Sequence, residues 1–518
     1  MALHPPQYYR NPVIPGFHPD PTICRVGEDY YLAVSSFTYF PGVPLFHSRD
    51  LVNWRPLGHV LTRPSQLPPA AQAHSEGIYA PTLRHDGKRF YLITTNVGNG
   101  GNFMVTADQI DGPWSDPVFL QDAPGIDPSL FFDDDGRAWV TGTAEVPEGA
   151  RYFGNNEIWL REFDLGSFEW KGERIGIWRG ALRDAVWPEG PHLYKKNALY
   201  YLLISEGGTG PHHSVTVARS PKIEGPYEGN PANPILTHRQ LGSGCSVTNP
   251  GHPDLVELPC GEWWMVLLAS RPHHGGGSNR GRETFLAPVV WEDGWPVVSP
   301  GSGRLEDRYP RPALPWTSWP GEDRSGGFES FDASVIDPAW SFLRSPDRMV
   351  HSLEARSGWL RLYGQEEGPG TRKTQAWMGR RIAHENWVLR TRIDFEPLLP
   401  EARAGLCLIQ SDDFHLRWEI GIGDAGVEVR AITRIDGIET VAARSTGIPR
   451  FLEISAQGHT LVLRWGKDDR DWKEVGEPVD GSFLTTEVAG GFVGCMAGPF
   501  AVADHADFDW VDYRGNDD

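Results

Sequence analysis

The 518 residues exceed what one ordinary core holds, so two large domains are expected. A net charge of −20, with 68 acidic against 48 basic residues and no Arg/Lys run, argues against nucleic acid or anionic membranes as partners and fits a neutral ligand. No stretch approaches the roughly 18 apolar residues needed to cross a bilayer.

The N-terminus, "MALHPPQYYRNPV", shows neither a basic segment nor an apolar one, so no signal peptide is visible and a cytoplasmic location is expected. Cys24, Cys245, Cys260, Cys407 and Cys495 are scattered, with no CxxC pair, and read as reduced thiols; at most Cys245 and Cys260 could pair. The 59 Gly and 44 Pro call for many turns, as all-β folds do.

One pattern then recurs along the chain. "DPTICRVGEDYYLAVSS" (20–36) is followed by "APTLRHDGKRFYLITTN" (80–96) and "DPSLFFDDDGRAWVTGT" (127–143). "GPHLYKKNALYYLLISE" (190–206) and "HPDLVELPCGEWWMVLLAS" (252–270) complete the series. Each copy has a proline, a short apolar run, a polar turn and an aromatic-rich strand, which is the signature of a hairpin. A period of roughly 45–65 residues leaves room for about four strands per copy, and five such units around an axis make a five-bladed β-propeller.

Past "VVWEDGWPVV" (289–298) the pattern stops. "PRPALPWTSWPGEDRSGG" (310–327) reads as a linker, and alternating runs such as "NWVLRTRIDF" (386–395) and "TLVLRWGK" (460–467) predict a β-sandwich. The expected organisation is a propeller over 1–312, a linker over 313–327 and a sandwich over 328–518.

The innermost strand of each blade lines a propeller's channel, so the repeats gather Asp20, the Tyr79–Ala80 pair, Asp127, Glu189 and His252 at its mouth. Pro19 and Pro21 restrict the backbone at Asp20 and help to aim its carboxylate at the axis. Converging carboxylates suit calcium binding or glycoside hydrolysis. Acids drawn from different blades, rather than from one loop, favour a pocket with functional groups on opposite walls.

The segments "NPVIPGFHPDPTICRVGEDYYL", "GIDPSLFFDDDGRAWV", "WPEGPHLYKKNALYYLLISEGGT" and "GRETFLAPVVWEDGWPVV" resemble glycoside hydrolase family 43. The likeness is to its two-domain β-xylosidases and α-L-arabinofuranosidases and covers the whole propeller in order. It implies a sandwich of the concanavalin-like jelly-roll type and an inverting, exo-acting hydrolase that needs no cofactor and releases D-xylose or L-arabinofuranose from xylo-oligosaccharides or arabinoxylan fragments. By resemblance Asp20 is the general base, Glu189 the general acid, and Asp127 the residue that orients Glu189 and raises its pKa. Arg282 matches a sugar-binding arginine, Phe37 and Tyr79 match pocket walls, and His252 matches a channel histidine that can help to hold a cation, with calcium the ion considered. Phe500, in "CMAGPFAVADH", is expected on a sandwich loop that closes the pocket. Tyr79 stands where the xylosidases more often carry Trp, and the segment before His252 is longer than usual; both bear on the choice of sugar. A strict α-L-arabinofuranosidase is the alternative enzyme, a non-catalytic sugar-binding propeller the alternative of another class. A homo-oligomer is also open.

Overall fold

The computed structural model describes residues 6–242, 244–317, 319 and 326–516. The N-terminal part forms five antiparallel sheets, each built from one continuous stretch of chain. Blade one runs through Thr22–Val26, Asp29–Ala33, Gly42–Ser48 and Arg55–Leu61. Blade two uses Gly77–Ile78, Thr82–His85, Phe90–Val97, Gly101–Ala107 and Val118–Phe119. Blade three holds Ile126–Phe132, Ala138–Glu145, Asn156–Asp164 and Glu169–Trp178. Blade four holds Glu189–Lys196, Leu199–Glu206 and Ser214–Ser220 with two short edge pieces, and blade five runs from Thr248–Glu257 to Trp295–Val298. The ring's two ends meet where Tyr8–Arg10 pairs with Arg308–Pro310.

Local chemistry sets these hairpins. Asn197 and Ala198 (φ 51° and 61°) make the two-residue turn between the first strands of blade four, and Asp293–Gly294 (φ 51° and 76°) does the same in blade five. Both have the left-handed pair that matches strand twist. Burial falls from the centre of a blade to its rim. All eight residues of Trp263–Ser270 are buried, whereas only one of ten is in the outer strand Glu169–Trp178. The core lies between blades as separate apolar clusters, such as Leu83, Leu92 and Val105 with Val43 and Leu45 between blades one and two.

A polar layer fills the channel. Asp254, fully buried, accepts bonds from Thr22 (2.8 Å), Tyr194 (2.6 Å) and both terminal nitrogens of Arg84 (2.9 and 3.1 Å). Arg84 and Ser129 also reach His192 Nδ1, at 3.1 and 3.0 Å. Each blade thus gives at least one member (Thr22, Arg84, Ser129, His192 with Tyr194, Asp254). A buried carboxylate with this many donors is satisfied and ties the five inner strands together.

The C-terminal part is two packed antiparallel sheets, of nine and eight strands, around a core that includes Trp340, Trp387, Leu406 and Trp418. Its first strand, Gly326–Glu329, pairs with the last, His505–Gly515, so the sandwich begins inside the expected linker. Of that linker, residues 318 and 320–325 lie outside the described residues; Thr317 and Trp319 bond to Asp50 and Asn53 of blade one. The eight-stranded sheet ends on Tyr39–Phe40, which comes from blade one and pairs with Trp340–Leu343. Phe17, Phe37, Tyr39, Trp377 and Phe500 share one buried cluster across the two parts. All five cysteines are free, so the pairing weighed for Cys245 and Cys260 is not formed.

Candidate active site

The repeat's proline marks the top of each inner strand. The residue before it is Asp20, Asp127, Gly190 or His252 in blades one, three, four and five, and each has a left-handed φ, of 55°, 55°, 59° and 49°. A residue before proline ordinarily stays extended, so the flanking prolines do not by themselves explain Asp20's conformation. In blades three, four and five the register of the inner strand shifts just here, and such bulges re-aim a side chain. Asp20, Asp127 and His252 are not glycines, so their left-handed backbone is locally strained. Gly190 is required: a Cβ there would lie 2.9 Å from the His252 ring. Glu189 therefore sits one position before its blade's equivalent of Asp20.

These turns bring Asp20, Asp127, Glu189, Tyr79, His252 and Arg282 to one cavity of about 70 Å³, with Phe37, Thr209 and Phe492 completing its wall. Asp20, 5% exposed, accepts a 2.6 Å bond from Ser35 Oγ and a 3.0 Å bond from Arg282 Nη1, with His252 Nδ1 3.8 Å away. Burial pushes its carboxyl up, but Arg282, His252 and Ser35 outweigh burial and hold it below the usual range. Glu189 keeps some surface open to the cavity but is otherwise enclosed by protein. Burial, then the charges of Asp127 and Asp20, push it well above the usual range against the pull of Arg282. Asp127 is also raised, by burial first, while it accepts the Gly190 N–H at 3.1 Å. Two carboxyls in one cavity are thus driven apart, one towards the anion and one towards the neutral acid.

Arg282 has partners beyond Asp20. It also donates to Thr209 Oγ1 (3.1 Å) and to the Phe492 carbonyl (3.3 Å), and its guanidinium lies 5.7 and 5.6 Å from the Phe37 and Phe492 rings. Phe37 and Tyr79 pack with centroids 5.1 Å apart, and Phe492 lies 6.1 and 6.0 Å from them.

The residue brought over the pocket by the sandwich is Phe492, not Phe500. Phe500 is fully buried in Met496–Val502, a strand paired with Ala376–Arg381 and with Arg403–Ile409. Gly490 and Gly491 (φ 70° and 77°) turn the chain ahead of Phe492, whose N–H bonds Ser75 Oγ at 2.9 Å. A Cβ on Gly491 would come within 2.3 Å of that oxygen. The Gly-Gly-Phe run was the available signal for this loop. Ser35 and Thr209 carry no comparable mark in the sequence. Among the described residues no group of three or more His, Cys, Asp or Glu is placed to hold a metal ion, and both Asp20 oxygens already have donors, so the structure adds no support for the calcium ion considered from sequence.

Residues 9–296 match the model described as "Glycosyl hydrolases family 43". The chain belongs to glycosyl hydrolase family 43. Residues 329–514 match the model described as "Beta xylosidase C-terminal Concanavalin A-like domain". This family 43 chain is 42% identical over 504 residues to a "Xylosidase/arabinosidase" of Butyrivibrio fibrisolvens, covering 95% of each. It is 35% identical to a "Non-reducing end alpha-L-arabinofuranosidase" of Bacteroides ovatus, over 98% of this chain and 94% of the relative. Among solved structures, a xylan beta-1,4-xylosidase from Bacillus halodurans superposes with a TM-score of 0.90 at 34% identity, covering 98% of this chain and all of that one. The family 43 enzyme is a glycoside hydrolase, which removes the purely sugar-binding alternative.

Proposed function

We propose that the enzyme is an exo-acting, inverting hydrolase that releases D-xylose or L-arabinofuranose from the ends of xylo-oligosaccharides or arabinoxylan fragments. The observation that carries this reading is the opposed tuning of Asp20 and Glu189 across one small cavity. Asp20, anionic, takes a proton from water as its oxygen attacks the anomeric carbon. Glu189, neutral, gives its proton to the glycosidic oxygen as the C–O bond breaks, and solvent then returns both groups to their starting states. Asp127 adds charge that keeps the proton on Glu189, and its bond to the Gly190 N–H fixes the backbone beside the acid. A cavity of about 70 Å³, walled on one side by Phe492, favours a terminal sugar over a chain laid across the mouth.

The names of the relatives support both sugars, and the arabinofuranosidase of Bacteroides ovatus keeps the strict α-L-arabinofuranosidase as the second reading. Free cysteines throughout fit work in the cytoplasm on imported oligosaccharides, which cell fractionation checks. Paired nitrophenyl xyloside and arabinofuranoside assays, with the product anomer followed by proton NMR, test the proposal. Cleavage of either with inversion is expected, and Glu189→Ala should lose far less on an activated leaving group than on xylobiose. Retained configuration, or equal losses on both substrates, would overturn it.

A further inference from the structure

On the side of the molecule where Pro56 of blade one faces Pro338 of the sandwich, a second cleft of about 230 Å³ opens between the two parts. His18, Trp54, Arg380, Arg381, His384 and Tyr513 line it. Phe46 and Leu45 add apolar wall. Asp20, Glu189 and Arg282 do not border this space, so it is separate from the active site.

Its floor is unusual in a chain with 20 more acidic than basic side chains. Arg381 is 8% exposed and donates through Nε to the Phe17 carbonyl at 2.6 Å, yet its Nη2 has no hydrogen-bond partner. Arg380 gives Nη1 to the Gly327 carbonyl at 3.2 Å and leaves Nε without a partner. Arg381 has no ion pair among the described residues and lies 5.7 Å from the Phe17 ring, whereas Arg380, 4.7 Å from the Tyr513 ring, already feels the carboxylates of Asp337, Asp512 and Glu329; Arg381 is therefore the cation without a counter-charge. A buried cation without a counter-charge is costly, and in native proteins it is normally matched by a carboxylate, a phosphate or a bound anion. Burial and the charge of Arg381 lower the pKa of His18 well below its usual value and hold His59 at about 3, so neither histidine adds a second positive charge to the cleft and neither supplies a negative one.

We infer that this cleft between propeller and sandwich is a binding site for a small carboxylate, its head on Arg381 and Arg380 and its body against Trp54 and Phe46. The planar guanidinium suits a two-oxygen head, and the volume limits the body to about the size of one sugar ring. Two sources offer that chemistry: a free organic acid, or a sugar acid.

The full-length protein is melted at constant ionic strength with sodium acetate, D-glucuronate, sodium chloride or D-glucose. A saturable rise of about 2 °C or more is expected with at least one carboxylate and not with chloride or glucose. A response to acetate points to free organic acids, and a response to glucuronate alone to a sugar acid. Arg381→Gln should abolish the rise; if that variant does not fold, Arg380→Gln, at the more open side, should weaken it at least several-fold in half-saturating concentration. Calorimetric titration of the responding carboxylate should give one site per chain. The inference is overturned if neither carboxylate gives a saturable rise, or if the rise survives in Arg380→Gln with unchanged half-saturation. Binding of glucuronate at Asp20 instead would survive both substitutions and count against it.

Discussion

Arg282→Met removes the cation that keeps Asp20 ionised. The guanidinium stands 3.0 Å from Asp20 Oδ1, with side chains only 10% and 6% exposed. At an effective dielectric of about 20, that separation corresponds to roughly 5 kcal/mol of gross attraction. Part of it is recovered in the variant, because Ser35 and His252 remain and water can enter the space left by the guanidinium. The expected net effect is a rise of about 1–3 pH units in the Asp20 pKa. The direction follows from burial, the largest influence on Asp20, which already favours the protonated form and is at present outweighed. Since Asp20 must be ionised to act as a base, the acidic limb of the kcat/KM profile should move to higher pH by that amount. The assay is hydrolysis of a nitrophenyl glycoside across pH, with circular dichroism at each pH to confirm that the variant is folded. Activity falls at every pH, because contacts to Thr209 and Phe492 also go, so the informative quantity is the limb and not the height. Arg282→Lys keeps the charge and should leave the limb near its original position while kcat/KM drops. An acidic limb that stays put or moves down in Arg282→Met would refute the assignment of Asp20 as the base held ionised by Arg282.

Asp127→Asn should shift the basic limb to lower pH, because a negative neighbour that keeps the proton on Glu189 is lost; burial is the larger cause, so the shift should be partial, and an unmoved limb would leave burial and Asp20 as the causes. Phe492→Ala opens the pocket wall and should raise KM several-fold with little change in melting temperature, whereas Phe500→Ala empties a buried site and should cost about 3–5 kcal/mol of stability, read by denaturant titration. Equal effects of the two on KM would contradict Phe492 as the wall.

The ring of blades was readable because each copy keeps its proline and hairpin in step, and that same register placed Asp20, Asp127 and His252 together. Glu189 needed more, since it lies one residue ahead of the matching position and Gly190 occupies the slot. The left-handed backbone at Asp20 was hidden, because local preference before proline points the other way. Phe500 misled because Pro499 and Gly498 read as a loop, although both lie in a strand whose neighbours are supplied from about 100 residues earlier in the chain. Phe492 was missed for a related reason: its value comes from Ser75 and Arg282, distant in sequence, and not from its own surroundings. Arg381 showed nothing at all, since an arginine in a strand announces neither its burial nor its lack of a charged partner.

Tyr39 and Phe40 belong to the first blade by sequence and to the sandwich by pairing, and this has a consequence for how the protein can be made. A ribosome delivers the first blade long before Trp340–Leu343, and Phe492 later still. Until then Phe17, Phe37 and Tyr39 have no cover from the other part, and such apolar surface on a waiting intermediate invites association. The three carboxylates of the pocket all lie within the first 189 residues, but Phe492, which completes its wall, is made nearly at the end of translation. Trimming the C-terminal module to obtain a smaller catalyst would uncover Phe17, Phe37 and Tyr39 and would take Phe492 out of the pocket wall.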